Sequence, residues 1–435
     1  RGWAGQSMDS LNQVCESIQS IRSMPSVVES IHSAADDLVS IAGVLGANIT
    51  SEGFTAQSSA APAPSGQSSK AGSPSLSELP ERGVAMEAPS PLLDDLLATM
   101  ALPAVHELLR RAGEVPFDMF EFARATGGKP LQVMSYYVMQ QHDCFANRCL
   151  DRHVFAAFIK AIEERMVESN PYHTSIHVAD VTRFMHVLLV KSGAGRLIGP
   201  MGVFTALFGA MIHDFEHPGV TNDFLKATGQ RRTVSRVFSE TSPNENHHLA
   251  SALALLKEFN FMLWLPRDDQ VRCRKLLVEM VLSTDMAAHG TIVQQLVDKT
   301  DTIKQAMSSG HEEMDSRKQN RLVSLVLCSA IKIADLAHVF NDFDAHVRWS
   351  TLLEEELFRQ GDLEHRMGMR VDVMRDRNAG QGCTTSQDGF FSHVILPMIG
   401  AFVAAFPPCA EMQQRAAANQ EAWAARKKRR AEGGG

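Results

Sequence analysis

Histidine and aspartate residues recur in this chain at spacings that suit metal ligation. His173 and His177 lie four residues apart, a separation that places both imidazoles on one face of a helix. His213 and Asp214 are adjacent within the sequence HDFEH, and an apolar run, FTALFGAMI at 204–212, precedes them. A buried helix would therefore end at a polar pair, and a carboxylate in the domain interior needs a cationic partner.

Three further segments carry the same residue types. They are ENHH at 245–248, STDM at 283–286 with His289 beyond it, and Asp335 within the apolar sequence IKIADL. Each has an ordinary explanation by itself, because a single HxxxH pair is more often a surface coincidence and a single aspartate is often a helix cap or an ion-pair member. Together they supply several histidines and aspartates, a donor set that suits zinc with oxygen-rich positions left for magnesium or manganese. Two ions that share a carboxylate can activate water and clamp a phosphoryl group, so the residues favour a two-metal phosphohydrolase.

The segments that must position these residues have helical periodicity. Apolar side chains recur about every 3.6 residues in 92–97, 154–162, 181–188 and 249–256. The sequence shows no sustained period-two alternation and no alternation of strand and helix patterns. We therefore predict an all-α, globular main domain over residues 91–415.

The segments on either side of the main domain differ from it in composition. Residues 1–50 repeat apolar side chains at helical spacing, interrupted at Pro25, and predict an amphipathic helical segment that docks, forms a homodimer, or simply packs against the main domain. Residues 51–90 are rich in Ser, Ala and Pro and predict a flexible linker. Residues 416–435 contain the basic cluster RKKRR, which indicates a solvated tail or a nuclear or phospholipid address.

The overall composition argues against several classes of protein. With 42 Lys and Arg against 50 Asp and Glu, the formal net charge of −8 argues against a nucleic-acid binder that uses a basic surface. Seven cysteines without a CxxC pair argue against a disulfide scaffold or a zinc ribbon. They favour a reduced intracellular protein, which we expect in the cytoplasm, with tethering to a membrane or to the nucleus left open.

Membrane association is not evident in this sequence. The longest apolar run, 394–406, is interrupted by Pro397 and Gly400 and is shorter than the roughly 20 residues that a span requires. Because the chain begins at Arg1 rather than Met, we expect it to be a fragment, so that any upstream signal or anchor would not be visible.

In their order along the chain, these motifs resemble the catalytic domain of class I cyclic-nucleotide phosphodiesterases. The resemblance rests on YHTSIHVAD at 172–180, HDFEHPGVTN at 213–222, ENHH, STDM, IADL, LLEEELFRQGD at 352–362 and SQDGF at 386–390. It implies a compact helical fold of the HD-domain type, with about sixteen helices around a central pocket. It also implies hydrolysis of a 3′,5′-cyclic purine nucleotide, cAMP or cGMP, to the 5′-monophosphate in cyclic-nucleotide signalling.

The resemblance implies a role for each matching residue. His177, His213, Asp214 and Asp335 match zinc ligands, and Asp214 also matches the carboxylate that bridges to a second ion, magnesium or manganese. His173 matches the general acid that protonates the departing 3′ oxygen. The residues that match supports of the metal-bound waters and of the acid histidine are His217, Glu245, His248, Thr284 and Asp285. Of these, the aspartate could instead be only a helix cap.

The resemblance also implies a nucleotide-binding set. Gln387 matches the glutamine whose amide pairs with the purine edge, and an amide suits either purine because it offers one donor and one acceptor group. Phe390 matches the ring that stacks on the base, and Leu353 falls where the family has the opposite, aliphatic side of that clamp. Tyr172, which precedes the acid histidine, is also expected at the substrate.

The chain departs from the family pattern in two places. Thr174 stands where the family usually has Asn, and we expect a tolerated change in local hydrogen bonding. The sequence AHV at 337–339 replaces the residues that commonly follow the metal aspartate, which bears on substrate preference rather than on catalysis. No ligand position is lost, which disfavours a regulatory scaffold that binds nucleotide without turnover. A different HD-type metallophosphohydrolase would share the histidines and aspartates, but it has no need of the sequence at 386–390.

Overall fold

The computed structural model describes residues 91–146, 150–230, 241–309 and 315–432. These residues form helices and no β-strand, which confirms the predicted all-α class. The helical segment expected at 1–50, with its homodimer, and the linker expected at 51–90 lie outside the described residues.

The α-helices are numbered here in chain order. They are α1 (Pro91–Met100), α2 (Pro103–Arg110), α3 (Met119–Ala125), α4 (Pro130–Gln141), α5 (Arg152–Glu164), α6 (Ser175–Ser192), α7 (Gly195–Ile212), α8 (Asn222–Thr228), α9 (Pro243–Glu258), α10 (Arg267–Thr284), α11 (His289–Ser309), α12 (Ser316–Asp335), α13 (Phe343–Arg366), α14 (Gln387–Phe390), α15 (Leu396–Ala405) and α16 (Ala410–Glu432). Single 3₁₀ turns lie at Met286–Ala288, Ala337–Phe340, Arg377–Ala379 and Pro407–Cys409, and a π-helical turn, Phe391–Ile395, joins α14 to α15.

Three central helices build the core and end at the residues of chemical interest. α6 packs against α4, α7 and α12, and α7 also contacts α10. The run 204–212 is apolar on every side, as a fully enclosed helix requires, and a Cβ atom at Gly209 would come within 2.8 Å of Met280 on α10. His177 lies in the first turn of α6, His213 follows the last residue of α7, and Asp335 ends α12. The core thus brings three helix ends to one place.

A buried arginine ties α6 to the segment before α3. Both the Nε and the Nη2 groups of Arg183 donate to one oxygen of Asp180 at 3.1 Å. Its Nη1 group donates to the carbonyl oxygens of Ala112 and Glu114 at 3.2 and 3.0 Å. The Asp180 carboxylate of the YHTSIHVAD motif is therefore used to hold the helix in position rather than to bind a ligand.

The last helix packs on the turn that follows Asp335. Asn419 donates from its amide to the carbonyl oxygens of Val339 and Asn341, at 2.9 Å in each case. The ring of Trp423 is buried, and its centroid lies 5.3 Å from that of Phe343. Helix α16 thus continues across the boundary expected at 415/416 and joins the main domain at least as far as Trp423.

Two helical segments, Gly195–Ile212 and Gln387–Ala405, are long and apolar enough to cross a membrane by length and composition alone. A bent pair, Arg267–Thr284 with Met286–Ser308, passes the same test as one span. In the fold, α7 lies between α6, α10 and α12, and the second segment contributes Phe391 and Phe402 to the same core. Packing within the domain buries 67% of the first segment and 39% of the second.

Candidate active site

Four side chains from three helix ends converge in the domain interior. The Nε2 atom of His177 lies 3.3 Å from Asp214 Oδ2 and 3.1 Å from Asp335 Oδ1. The Nε2 atom of His213 lies 3.2 and 3.4 Å from the same two oxygens. One donor atom from each residue lies within 4.8 Å of the other three, so the sequence-predicted ligand set is brought together as a tetrad.

The donor set fits a divalent cation. The Nδ1 atom of His213 lies 3.0 Å from the carbonyl oxygen of Ala210, so that nitrogen is the donor and the Nε2 lone pair faces the carboxylates. This Nε2 atom is buried and has no hydrogen-bond partner among the described residues. A lone pair beside two carboxylate oxygens is unfavourable unless a cation lies between them, and two imidazoles with two carboxylates balance a charge of +2.

The same geometry perturbs the ionisation of the tetrad. Burial lowers the pKa of His177 and of His213, but the carboxylates of Asp214 and Asp335 have the larger combined effect and raise both. In the opposite direction, the histidines hold the pKa of each aspartate below its ordinary value in spite of burial. Protons and a metal ion would thus compete for the same four atoms.

A third histidine, His173, faces the tetrad from the segment before α6. The Nε2 atom of His173 lies 3.9 Å from Asp214 Oδ2. Its Nδ1 atom makes a short contact with a carboxylate oxygen of Glu356, on α13. The other oxygen of Glu356 accepts the backbone N–H groups of Tyr172 and His173 at 3.0 and 3.1 Å. One buried carboxylate therefore fixes both the ring and the backbone of this histidine.

Glu356 also sets the charge state of His173. Burial lowers the pKa of the imidazole, but the charge and the hydrogen bond of Glu356, with further contributions from Asp214 and Asp335, raise it to about 9. Reciprocally, burial raises the pKa of Glu356 and the imidazolium lowers it, with a net fall below its ordinary value. The pair is an imidazolium–carboxylate couple at neutral pH, with the Nε2–H group directed toward the tetrad.

Two other predicted histidines surround His173 and Asp214. The ring of His217 stacks on that of His173, with centroids 3.8 Å apart. His248 on α9 has its Nδ1 atom 2.6 Å from the carbonyl oxygen of Phe215 and its Nε2 atom 3.8 Å from Asp214 Oδ1. The two oxygens of Asp214 therefore face different neighbours, Oδ2 the tetrad and Oδ1 the histidine of α9.

The remaining predicted supports form a second group around an asparagine. Asn222 donates from its amide to Glu245 at 2.9 Å and to Asp285 at 3.3 Å. The other oxygen of Asp285 accepts the N–H of Ala287, so this aspartate caps the 3₁₀ turn and joins the Asn222 group. The hydroxyl of Thr284 donates within its own helix, to Val281 at 2.8 Å. Asp285 therefore belongs to the Asn222 group, the hydroxyl of Thr284 bonds only within its helix among the described residues, and neither residue belongs to the tetrad.

The predicted nucleotide-binding residues lie on α13 and α14. Leu353 and Phe390 are half-buried against the core, and Gln387 is buried at the first position of α14. The amide of Gln387 donates to the carbonyl oxygen of Cys383 at 2.9 Å, and its Oε1 atom is buried without a hydrogen-bond partner among the described residues. The ring of Tyr172 is buried, with its centroid 4.7 Å from that of His177.

A pair of buried histidines lies beside Gln387. The Nδ1 atoms of His338 and His346 are 3.0 Å apart, and the two rings stack. Burial lowers the pKa of His346 to about 4, with the Gln387 side chain acting in the opposite direction, and burial holds the pKa of His338 well below its usual range. Both rings are therefore neutral, and each offers one donor and one acceptor nitrogen.

Sequence comparison identifies the protein family that has this arrangement of residues. The profile described as 3′,5′-cyclic nucleotide phosphodiesterase matches residues 172–416, from Tyr172 beside His173 into α16. The chain belongs to the 3′,5′-cyclic nucleotide phosphodiesterase family. The resemblance inferred from the motifs is confirmed, and membership of this family together with the tetrad indicates a site for divalent metal.

Individual phosphodiesterases match over most of this chain. The human dual specificity calcium/calmodulin-dependent 3′,5′-cyclic nucleotide phosphodiesterase 1C is 33% identical over 299 residues, which are 68% of this chain and 40% of the relative. The rat 1B enzyme of the same description is 31% identical over 297 residues, 68% of this chain and 52% of the relative. The 3′,5′-cyclic-AMP phosphodiesterase isoform F of Drosophila melanogaster is 31% identical over 301 residues, 68% of this chain and 44% of the relative. The matched region is thus about half or less of each phosphodiesterase relative.

Sequence reasoning predicted Leu353 on α13 but missed three polar residues of the same helix. Glu356, Gln360 and Glu364 are all buried, at steps of four residues along one face of the helix. Gln360 accepts the N–H of Thr221 at 2.8 Å and donates to Glu364 at 2.7 Å. Three polar side chains at that spacing in a run that otherwise matches the family are the signal that would have found them.

Another missed residue is Glu216, within HDFEH. Its carboxylate contacts Arg165 on α5 and lies 2.8 Å from His247 Nε2 on α9. Burial raises its pKa, but His247 and Arg165 outweigh burial and lower it to about 2. Its backbone adopts φ = 60°, which turns the chain back between Asp214 and His217. The residue holds the loop that carries two of the site histidines.

Proposed function

We propose that this chain hydrolyses 3′,5′-cyclic purine nucleotides to nucleoside 5′-monophosphates. The observation that carries the proposal is the position of His173, which is held by Glu356 with its Nε2–H group 3.9 Å from a carboxylate of the four-residue cluster. A general acid beside a divalent metal site is the pairing that phosphodiester hydrolysis requires. The phosphodiesterases named above supply the substrate class.

We propose that the tetrad binds zinc and that a second ion, magnesium or manganese, binds beside it. His177, His213, Asp214 and Asp335 are a mixed nitrogen and oxygen set of the kind that binds zinc in four-coordinate sites. Asp214 has its Oδ1 atom turned away from the tetrad, toward His248, and so has an oxygen for a hydrated second ion. Bound there, the ions would activate a water for attack on phosphorus and offset the charge that develops on the phosphoryl group.

The protein's own part in the reaction is proton delivery and orientation. His173 donates the proton on Nε2 to the departing O3′ atom while Glu356 keeps hold of Nδ1–H. Stacking of the His217 ring on His173 restricts rotation of the acid ring, so the proton stays directed at the leaving group. Loss of positive charge from His173 in this step is reversed when the ring takes up a proton from solvent.

The base is held at the other end of the site, and we propose that either purine is accepted. Gln387 keeps a buried acceptor oxygen without a partner, and its neighbour His346 is a neutral ring that can present either N–H or a lone pair. One orientation of the amide matches adenine and the other matches guanine, and the change between them requires the amide to give up its bond to the Cys383 carbonyl oxygen. Phe390 and Leu353 are proposed as the two apolar sides of the base clamp.

The test is hydrolysis of cAMP and of cGMP by the metal-supplied chain in water enriched in ¹⁸O. We expect 5′-monophosphates with one ¹⁸O in the phosphate, since water attacks phosphorus and O3′ leaves. Asp214→Ala and His173→Ala should each lose at least about a hundredfold in kcat. The matched controls are Asp344→Ala and His393→Ala, an aspartate and a histidine exposed on the surface, which should retain activity.

The alternatives are separated by the same experiment. Turnover of neither cyclic nucleotide by the metal-supplied chain would favour a binding scaffold or another HD-type hydrolase. Metal-dependent turnover that survives Asp214→Ala would contradict the metal assignment. A product labelled in the ribose rather than in the phosphate would contradict attack on phosphorus.

A further inference from the structure

A short turn just before α14 determines where the Gln387 amide lies. The turn comprises residues Gly382–Ser386, and the carbonyl oxygen of Cys383 accepts the Gln387 amide at 2.9 Å. The backbone N–H of Phe390 donates to Ser386 at 3.1 Å, so the residue of the proposed stacking ring starts from the same turn. A shift of this turn would move both groups that we propose to contact the base.

The turn is fastened to α13 chiefly through one carboxylate. Glu354 accepts the backbone N–H of Thr384 at 3.0 Å and the hydroxyl of the same residue at 2.8 Å. The thiol of Cys383 adds a weaker bond to the carbonyl oxygen of Ser350, at 3.2 Å. Burial and the charge of Glu354 raise the pKa of this thiol to about 12, so it keeps its proton as a donor.

The absence of a side chain at residue 382 permits this attachment. A Cβ atom on Gly382 would come within 2.0 Å of Glu354 Oε1 and 2.9 Å of Phe358. Ser350, Glu354 and Phe358 are four residues apart along α13, so one face of the helix receives the whole turn. The close approach and the two hydrogen bonds to Thr384 are independent observations that converge on Glu354.

We propose that Glu354 is a positioning residue for purine recognition: by holding Thr384 it fixes the turn whose Cys383 carbonyl orients the Gln387 amide. This proposal rests on the proposed function, because it assigns a role within the base site of that reaction. Glu354 touches neither the acid histidine nor the metal tetrad. Its removal should therefore weaken binding of the base without slowing the chemical step.

The experiment compares KM and kcat for cAMP in Glu354→Leu and in the matched control Glu355→Leu. Glu355 is the next residue on α13 and bonds Arg359 and Arg377 at the surface, where such pairs contribute little. We expect Glu354→Leu to raise KM about five- to tenfold with kcat within about twofold of wild type, because a charge-assisted hydrogen bond is lost while the thiol bond remains. The control should change neither constant.

Two further variants approach the same contact from the turn. Thr384→Val removes the hydroxyl and should raise KM in the same way, whereas Thr384→Ser keeps the hydroxyl and should behave as wild type. The double variant of Glu354→Leu with Thr384→Val should be no worse than the poorer single variant, because both remove one interaction. Calorimetric binding of cAMP to His173→Ala, with and without Glu354→Leu, gives the change in affinity without turnover.

A nucleotide analogue identifies the base as the part affected. Cyclic purine riboside 3′,5′-monophosphate lacks the exocyclic group that the Gln387 amide would contact, so its KM should be insensitive to Glu354→Leu. Equal increases for the analogue and for cAMP, a fall in kcat with KM unchanged, or an unchanged KM would each overturn the proposal. Failure of the proposed function is a different result, namely no hydrolysis of either cyclic nucleotide by the wild-type chain.

Discussion

Replacing Glu356 with glutamine tests whether the carboxylate behind His173 makes it an acid. Glutamine keeps an oxygen to accept the N–H groups of Tyr172 and His173, which lie 3.0 and 3.1 Å from Glu356 Oε2. It removes the negative charge and can turn its NH₂ group toward Nδ1. The substitution therefore changes the charge state of the imidazole with little change in the position of the backbone.

The size of the effect follows from the pKa of His173. That pKa is raised from 6.5 to about 9 against the opposing effect of burial, and Glu356 is the largest cause of the rise. The shift corresponds to about 3 kcal/mol at 1.36 kcal/mol per pKa unit. If removal of the charge returned the pKa to the ordinary value of 6.5, about 3% of the imidazole would be protonated at pH 8, but most of it at pH 6.

The assay is the pH dependence of kcat at saturating metal and cAMP. We expect Glu356→Gln to lose about thirtyfold in kcat at pH 8 and less than about threefold at pH 6, with the alkaline limb moved to lower pH. Glu355→Gln, one residue away on the surface, should keep the wild-type profile. An unchanged alkaline limb, or an equal loss at both pH values, would refute the reasoning.

Three further predictions concern stability. Adding Zn²⁺ or Mn²⁺ to chelator-treated protein should raise Tm, measured by scanning fluorimetry, by about 5 °C. The rise should be mostly absent in Asp335→Asn, and an equal rise in the two proteins would place the metal elsewhere. Burial, opposed by hydrogen bonds from Gln132 and Leu131, raises the pKa of Glu163 from 4.5 to about 7. The folded state therefore binds this proton more tightly, and the resulting stability is complete below about pH 4.5 and lost as pH rises through 7. Urea unfolding of Glu163→Gln should show a gain over wild type that is up to about 3 kcal/mol larger at pH 8 than at pH 5, and a gain independent of pH would contradict the assignment. Arg183→Met leaves the Asp180 carboxylate buried without its cation, so unfolding should be easier by about 3–5 kcal/mol at fixed metal, and a loss below about 1 kcal/mol would show that the pair is not needed.

The sequence predicted the helical class from local apolar patterns, whereas the four residues of the tetrad were implied by the resemblance to the phosphodiesterase family. Apolar spacing indicates helix wherever it occurs, and the run at 204–212 had to be enclosed because no face of it is polar. A histidine or aspartate that ends such a helix can only point into the interior or into a pocket. The local pattern therefore left several candidate residues, and the structure shows that His177, His213 and Asp335 converge because three buried helices begin or end at one place.

The supports of the site were harder to predict because they depend on contacts between distant segments. Glu356 is separated from His173 by 183 residues, and Glu354 from Thr384 by 30. A run of three glutamates on a long helix is ordinarily a solvated face, and only the packing of α13 against the rest of the domain decides which of them is enclosed. Asp285 shows the same limit, since capping its own turn and joining Asn222 are both compatible with STDM.

The three consecutive glutamates of α13 show how one rigid helix can serve both ends of a substrate. Successive residues on a helix point about 100° apart, so Glu354 and Glu356 face nearly opposite directions from one axis. Glu354 holds the turn before Gln387, and Glu356 holds His173. Glu355 lies between them and pairs with Arg359 and Arg377 at the surface. The separation between the acid and the base-recognition groups is then set by a helix rather than by flexible loops. A helix cannot lengthen without breaking its hydrogen bonds, so the two groups keep one spacing, which would match a cyclic nucleotide held in a single conformation about its glycosidic bond.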